Sequence, residues 1–295
     1  MRAMMETIEI LLNVISYIDA NVEEPISAET VAEFAGYSTD YFHRLFGIYT
    51  GESLVAYIRK RKMTFALKDI QTNKRLIDVA VKYGYGSERA FSRAFSSCFH
   101  MSPKQAKKSK IAIQPPLSIA PLKIDGYKGD ETMDYLSDVM YKSLPEMRVA
   151  SHVVISENPE DEVIGFMQGL MKKYDLPEST EQYGFDYPVS ETESEKGYRG
   201  YEYWVKLEDN FDETILMKEL VEIKVIPSYK YAVIRITEPF INPFERIPKG
   251  WQTLVKWIEA NSLYNRELRE AKCLEQVTVE NGVTFMDIMI PVQKQ

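Results

Sequence analysis

The sequence runs to 295 residues, enough for two ordinary domains, and its 45% hydrophobic and 27% charged content excludes a largely disordered chain. No apolar run approaches the roughly 18 residues that cross a bilayer. The start MRAMMETIEI sets acidic residues where a signal peptide carries its apolar core, so no membrane partner and a cytoplasmic location are expected.

The formal net charge of −8 speaks against a nucleic-acid partner until its distribution is read. Residues 1–110 hold 16 Lys and Arg against 12 Asp and Glu, and the remainder holds 20 against 32. A basic front and an acidic back predict two domains with different partners. Two cysteines, Cys98 and Cys273, and three scattered histidines, His43, His100 and His152, make neither a disulfide framework nor a zinc set. No metal, cofactor or catalytic residue is expected.

In chain order, residues 6–110 read as helices throughout. Ile8, Leu11, Leu12, Ile15 and Ile18 share one helical face. Ser27 precedes a short helix stopped by Gly36, and Ser38 or Thr39 caps a second ending near Gly51. A long helix is predicted from Glu52 to Asn73, about 33 Å at 1.5 Å per residue. LIDVAVKYG ends at Gly84, ERAFSRAFSSCF is capped by Ser87, and Pro103 opens a last basic turn. Residues 111–130, with QPPLSIAPLKIDGYKGD, suit a linker or an extended first strand. From 131 to 295 the pattern becomes mixed. MRVASHVVI and SYKYAVIRIT alternate as strands, EDEVIGFMQGLMKKY and GWQTLVKWIEAN are periodic as helices, and GYRGYEYWVKL and GVTFMDIMIPV are strand-like again. Strand, helix and strand pair thus occur twice, which predicts a duplicated α+β domain with two helices on an antiparallel sheet. Segment 177–198, rich in Glu, Ser, Thr, Tyr and Pro, is expected to be an exposed loop.

A second repeat lies in the N-terminal domain. VAEFAGYSTDYFHRLF matches VAVKYGYGSERAFSRAF once one extra residue is allowed, pairing Gly36 with Gly84, Phe42 with Phe91, Arg44 with Arg93 and Phe46 with Phe95. Each copy is a helix, a Gly turn and a second helix. In the first, Phe42, Leu45, Phe46 and Tyr49 form the inner stripe, leaving Asp40, His43, Arg44 and Gly47 outward. In the second, Phe91, Ala94, Phe95, Cys98 and Phe99 point in, leaving Arg89, Ser92, Arg93 and Ser96 outward. An outward Arg can take the O6 and N7 of guanine together in a major groove, and Ser, Thr and a helix N-terminus suit phosphate. The cluster Arg59, Lys60, Arg61, Lys62 fits either phosphate contact or a solvated face.

SAETVAEFAGYSTDYFHRLFGIYTGES, AYIRKRK and IDVAVKYGYGSERAFSRAFSSCFHMSPK resemble the AraC/XylS family of transcription regulators over roughly residues 6–108. The resemblance implies an all-α tandem helix-turn-helix domain. It also implies contacts to double-stranded DNA from Thr39, Asp40, His43 and Arg44 and from Ser87, Glu88, Arg89, Ser92 and Arg93, with RNA polymerase as a further partner. The sequence departs from the family at His100, where a Gly usually closes the second recognition helix and a strained cap costing ~1 kcal/mol is expected, and at Ala106, which replaces an aromatic.

KYAVIRI, PKGWQTLVKWIEAN, KCLEQV and TFMDIMIPV resemble the GyrI-like effector-binding domains over roughly residues 120–295. That resemblance implies a pocket for a small lipophilic or cationic effector, with Glu275 facing the ligand. Tyr203, Trp204, Tyr231, Trp251, Phe185, Tyr187 and the weaker candidate Glu202 complete the expected set, with Tyr183, Phe185 and Tyr187 covering the pocket from the 177–198 loop. For Glu275 an internal salt bridge or an exposed strand position is the competing reading, and for each aromatic it is ordinary core. Two alternatives for the C-terminal domain remain open at this point: a hydrolase-like domain using Glu275 as a base, although no GxSxG or Cys/His pair is present, and a protein-contact domain without a ligand.

Overall fold

The structure, a computed structural model, describes residues 2–72, 74–108 and 133–294. The segment 111–130, read as linker or first strand, lies outside them. The described chain forms two compact units. One holds residues 5–36 and 45–108; the other is built on residues 133–294 and takes in Tyr37–Arg44.

The helical part contains α1 (Arg2–Ala20), α2 (Ala28–Ala35), α3 (Thr39–Thr50), α4 (Leu54–Gln71), α5 (Leu76–Lys82), α6 (Glu88–Phe99) and α7 (Pro103–Lys108). Its boundaries follow from local chemistry. The Ser27 hydroxyl accepts from the Thr30 backbone N–H and Thr30 returns the bond, while Gly36 closes α2 in the left-handed conformation (φ 76°). Ser38, the first of the two candidate caps, accepts from the Tyr41 N–H at 3.2 Å. Ser53 and Ser87 cap α4 and α6 in the same way. At 18 residues, α4 is about 27 Å long, shorter than expected because Ser53 caps its start and Thr72 its end. His100 closes α6 at φ 53°, the strained left-handed cap the sequence predicts. Ala106 is fully buried in α7.

Of the basic cluster on α4, Arg61 and Lys62 are buried. Arg61 forms a two-pronged bond to Asp19 at 2.6 and 2.8 Å, so neither reading of that cluster holds for these two residues. They turn inward because helical spacing places Arg61 beside the apolar stripe of Tyr57, Ile58 and Met63, all buried.

The second unit carries one eight-stranded antiparallel sheet. Its strands are β1 (Met140–Leu144), β2 (Met147–Ser156), β3 (Gln182–Tyr187), β4 (Arg199–Leu207), β5 (Glu222–Ile226), β6 (Tyr229–Thr237), β7 (Leu274–Glu280) and β8 (Val283–Lys294), in spatial order β1-β6-β8-β7-β3-β4-β2-β5. Helices α8 (Pro159–Lys173) and α10 (Pro243–Ala260) follow β2 and β6. Each opens with a proline at its first position, where the missing N–H costs nothing. The duplication is therefore real: β2, α8, β3 and β4 are repeated as β6, α10, β7 and β8. The leading strands are exchanged, β1 pairing with β6 and β5 with β2. The halves meet at a seam where Gly184 of β3 opposes Glu275 of β7.

The expected loop at 177–198 is instead β3 plus the short helix α9 (Glu191–Glu195). Tyr183 and Phe185, expected on an exposed loop, are buried at 0% and 1% exposure and belong to a core cluster. One core cluster gathers Met147 and Val149 of β2, Tyr183 and Phe185 of β3, Trp204 of β4, and Tyr229, Tyr231 and Val233 of β6. Strands distant in the sheet order share this cluster, so the sheet curls on itself. On the other face, α8 packs through Val163, Met167 and Leu170 onto Ala150, Tyr201 and Val205.

Candidate functional site

Strand alternation sorts the expected effector residues. Register pairs Glu275 with Gly184, Gly184 with Tyr203 and Asp186 with Tyr201, which places all five on the face that carries the helices. Phe185, Tyr187, Glu202 and Trp204 alternate onto the opposite face. Phe185, Trp204 and Tyr231 belong to the core cluster, the ordinary role that competed with ligand contact. The sequence-derived set is thus divided: Glu275 and Trp251 come together, and Tyr203 shares their face but donates to Gln182 at 3.2 Å. Tyr187 is partly exposed at 36% on the far side.

Glu202 lies on the face opposite Glu275 and is engaged within the protein. It is 2% exposed and accepts from the Ser151 hydroxyl at 2.6 Å, the Trp204 indole N–H at 2.7 Å and the Lys224 ammonium at 2.6 Å. Burial by itself would raise its pKa, but these three donors outweigh burial and hold it below the usual carboxylate range. All three donors converge on the same oxygen, Oε1, so the carboxylate is anchored by the protein's own groups.

Glu275 differs. The Tyr201 hydroxyl donates to its Oε2 at 3.0 Å and the Trp251 indole N–H to its Oε1 at 3.0 Å. The Arg44 guanidinium, from the middle of α3, lies 3.6 Å from Oε1 and 3.2 Å from Oδ2 of Asp186. Its central carbon sits 3.5 Å from the Trp251 ring centroid. Burial pushes the Glu275 pKa up, opposed by Arg44 and by the Tyr201 and Trp251 hydrogen bonds. The same burial, together with Glu275, pushes the Tyr201 phenol well above its ordinary value, so Tyr201 stays a donor.

The geometry depends on Gly184. A Cβ there would stand 2.6 Å from Cε1 and 2.8 Å from Cζ of Tyr201, so only glycine lets that ring lie flat across β3 and bring its hydroxyl to Glu275. Tyr201, Asp186 and Gly184 escape the sequence-derived set. The signal available was the alternation of Tyr201 with Tyr203, but it becomes usable only once the helix-bearing face is known.

The beginning of α3 is held in the same unit by further contacts. The Ser38 N–H donates to the Tyr264 hydroxyl at 2.8 Å, and the Tyr264 ring packs on Tyr37 and Tyr41 with centroids 4.5 Å apart in each pair. Lys272 approaches Asp40 at 3.6 Å, and Asp40, although paired, has its pKa raised by burial. Thr39 and His43 are half-buried. The expected inner stripe of Phe42, Leu45, Phe46 and Tyr49 is buried as read.

In α6 the expected DNA-facing residues Ser87, Glu88, Arg89 and Arg93 are exposed and Ser92 is half-buried, while Phe91, Ala94 and Phe95 point inward. This helix offers two exposed guanidinium groups and a capped N-terminus. Among the described residues, no helix is long and apolar enough to cross a membrane.

Residues 31–109 match the family described as a helix-turn-helix domain, and residues 142–292 match the family described as integron-associated effector binding protein. The regulatory protein SoxS of Escherichia coli K12 is 34% identical over 96 residues, which is 32% of this chain and 90% of SoxS. The multiple antibiotic resistance protein MarA of Salmonella typhimurium is 38% identical over 92 residues, 31% of this chain and 72% of MarA. A solved AraC-type transcriptional regulator from Chromobacterium violaceum is similar at 27% identity and a TM-score of 0.33, covering 34% of this chain and 90% of its own. The chain belongs to the AraC-type helix-turn-helix regulators through its N-terminal third and to the integron-associated effector binding proteins through its C-terminal half.

Proposed function

We propose that this regulator senses a small cation at Glu275 and converts its binding into a change of DNA affinity or of contact with RNA polymerase. The observation that carries the reading is the Glu275 site itself. A largely buried carboxylate is oriented by Tyr201 and Trp251, and a flat delocalised cation rests on the Trp251 face. A carboxylate in such surroundings is costly unless a positive charge accompanies it, and an indole face adds to the attraction for a desolvated cation. On the DNA side, Arg89 and Arg93 on the open face of α6 suit guanine edges, and Ser87 and the helix N-terminus suit phosphate. The hydrolase alternative would use Glu275 as a base, but the carboxylate is already engaged by two donors and a guanidinium.

The test is titration of the full chain with benzamidinium and with its neutral isostere benzamide, read by calorimetry. Glu275→Gln should weaken benzamidinium about tenfold or more and leave benzamide nearly unchanged, since the lost term is a charge interaction. Equal affinities of wild type and variant for both compounds would remove Glu275 from the effector site.

A further inference from the structure

The two recognition helices present their reading faces differently. Arg89 and Arg93 of α6 are exposed, whereas the side chains of Arg44 and Asp40 on α3 keep only 14% and 8% of their surface. What covers them is specific. The Arg44 guanidinium stacks on Trp251 and lies between the carboxylates of Glu275 and Asp186. Lys272 pairs with Asp40, and Tyr264 takes the Ser38 N–H while packing on Tyr37 and Tyr41. A basic, an acidic and an aromatic partner thus meet three features of the segment Tyr37–Arg44, which leads into and forms the first half of α3.

We propose that Arg44 is the built-in occupant of the Glu275–Trp251 site, and that this occupancy withdraws the reading face of the first recognition helix from DNA. One guanidinium cannot stack on Trp251 and also reach a guanine edge or a phosphate, so the two engagements are mutually exclusive. An effector carrying a planar delocalised cation, a guanidinium or amidinium, offers Glu275 and Trp251 the same charge and the same flat face. It therefore competes with Arg44 and frees α3. This effector step rests on the functional reading above; the withdrawal of α3 does not. Competition also sets the apparent ligand affinity, which falls by the fraction of molecules whose site is already filled by Arg44.

The experiment measures binding of the full chain to a fluorescent random-sequence duplex of about 20 base pairs at low salt, where phosphate contacts dominate. Glu275→Gln and Asp186→Asn both loosen Arg44 without touching α3. Asp186 is 68% exposed, so its variant guards against a folding defect. Glu222→Gln, at a carboxylate 73% exposed and engaged with Lys224, controls for the simple loss of one negative charge. Relative to that control, DNA affinity should rise about tenfold for Glu275→Gln and about two- to threefold for Asp186→Asn. Benzamidinium chloride should raise wild-type affinity toward that of Glu275→Gln, beyond the effect of sodium chloride at equal ionic strength, and leave the variant unmoved. If Glu275→Gln and Asp186→Asn bind DNA no tighter than the control, the proposal is overturned. If both bind tighter but benzamidinium changes nothing, the withdrawal of α3 stands and the effector reading of the site falls.

Discussion

Replacing Glu202 by Gln isolates the energetic role of the carboxylate that the sequence suggested for ligand binding. The substitution keeps the shape and removes the charge. Three donors converge on the wild-type group, one from an ammonium whose side chain is 28% exposed. A hydrogen bond to a charged group contributes about 1.5–3 kcal/mol, and removing one partner of a buried pair costs about 3–5 kcal/mol. Lys224 can turn partly to solvent, and the new amide oxygen can still accept from Ser151 or Trp204. The expected loss is therefore about 2–3 kcal/mol. All three tryptophans, Trp204, Trp251 and Trp257, lie in the sheet domain, so denaturant unfolding followed by tryptophan fluorescence reports that domain alone. The folded-state pKa of Glu202 is depressed, so its contribution is present above the ordinary carboxylate range and lost as pH falls through the folded value. The gap between wild type and variant should narrow steadily on acidification below about pH 4. A loss under 0.5 kcal/mol at neutral pH, or a gap that does not shrink in acid, would refute the view of Glu202 as a paired structural anion.

Other substitutions test other parts of the structure. Gly184→Ala should displace the Tyr201 ring at a cost of about 1–3 kcal/mol in domain stability and weaken benzamidinium binding by releasing the Tyr201 bond to Glu275; a binding titration decides it. Arg93→Ala should cost about 1–3 kcal/mol on a duplex selected for tight binding and far less on random sequence, and equal losses on both would reassign Arg93 to phosphate. His100→Gly should relieve the left-handed cap of α6 and stabilise the helical unit by about 1 kcal/mol or less, visible as a higher midpoint in thermal unfolding followed at 222 nm.

The helix-turn-helix repeat was legible because its determinants are local. Ser27, Ser38 and Ser87 cap, Gly36 turns left-handed, and the Phe42–Phe46 and Phe91–Phe95 stripes repeat at helical spacing. The duplicated core of the sheet was legible for the same reason, since β2, β4, β6 and β8 alternate or run apolar over nine to twelve residues. Strand β3 was not. It is six residues long, it contains a glycine and an aspartate, and polar turns flank it. Its glycine is explained only by a tyrosine ring arriving from the next strand. Glu275 and Trp251 came from family resemblance. The companions Tyr201 and Asp186 depend on which face of the sheet the helices cover, a tertiary fact that no local window contains. The half-buried state of Arg44 is invisible in its own helix, where it reads as one more outward cation.

The exchanged leading strands interlock the two copies of the duplicated motif. A cut between β4 and β5 would leave β1 without its β6 neighbour and β2 with an open edge, so each fragment would carry the piece its counterpart lacks. Such halves are complementary fragments rather than independent modules, and bare strand edges favour reassociation over isolated existence. The β3–β7 seam exists only when both copies are in place. The ligand proposed for Glu275 would act there as a clasp on the completed domain, its binding energy opposing unfolding of both copies together.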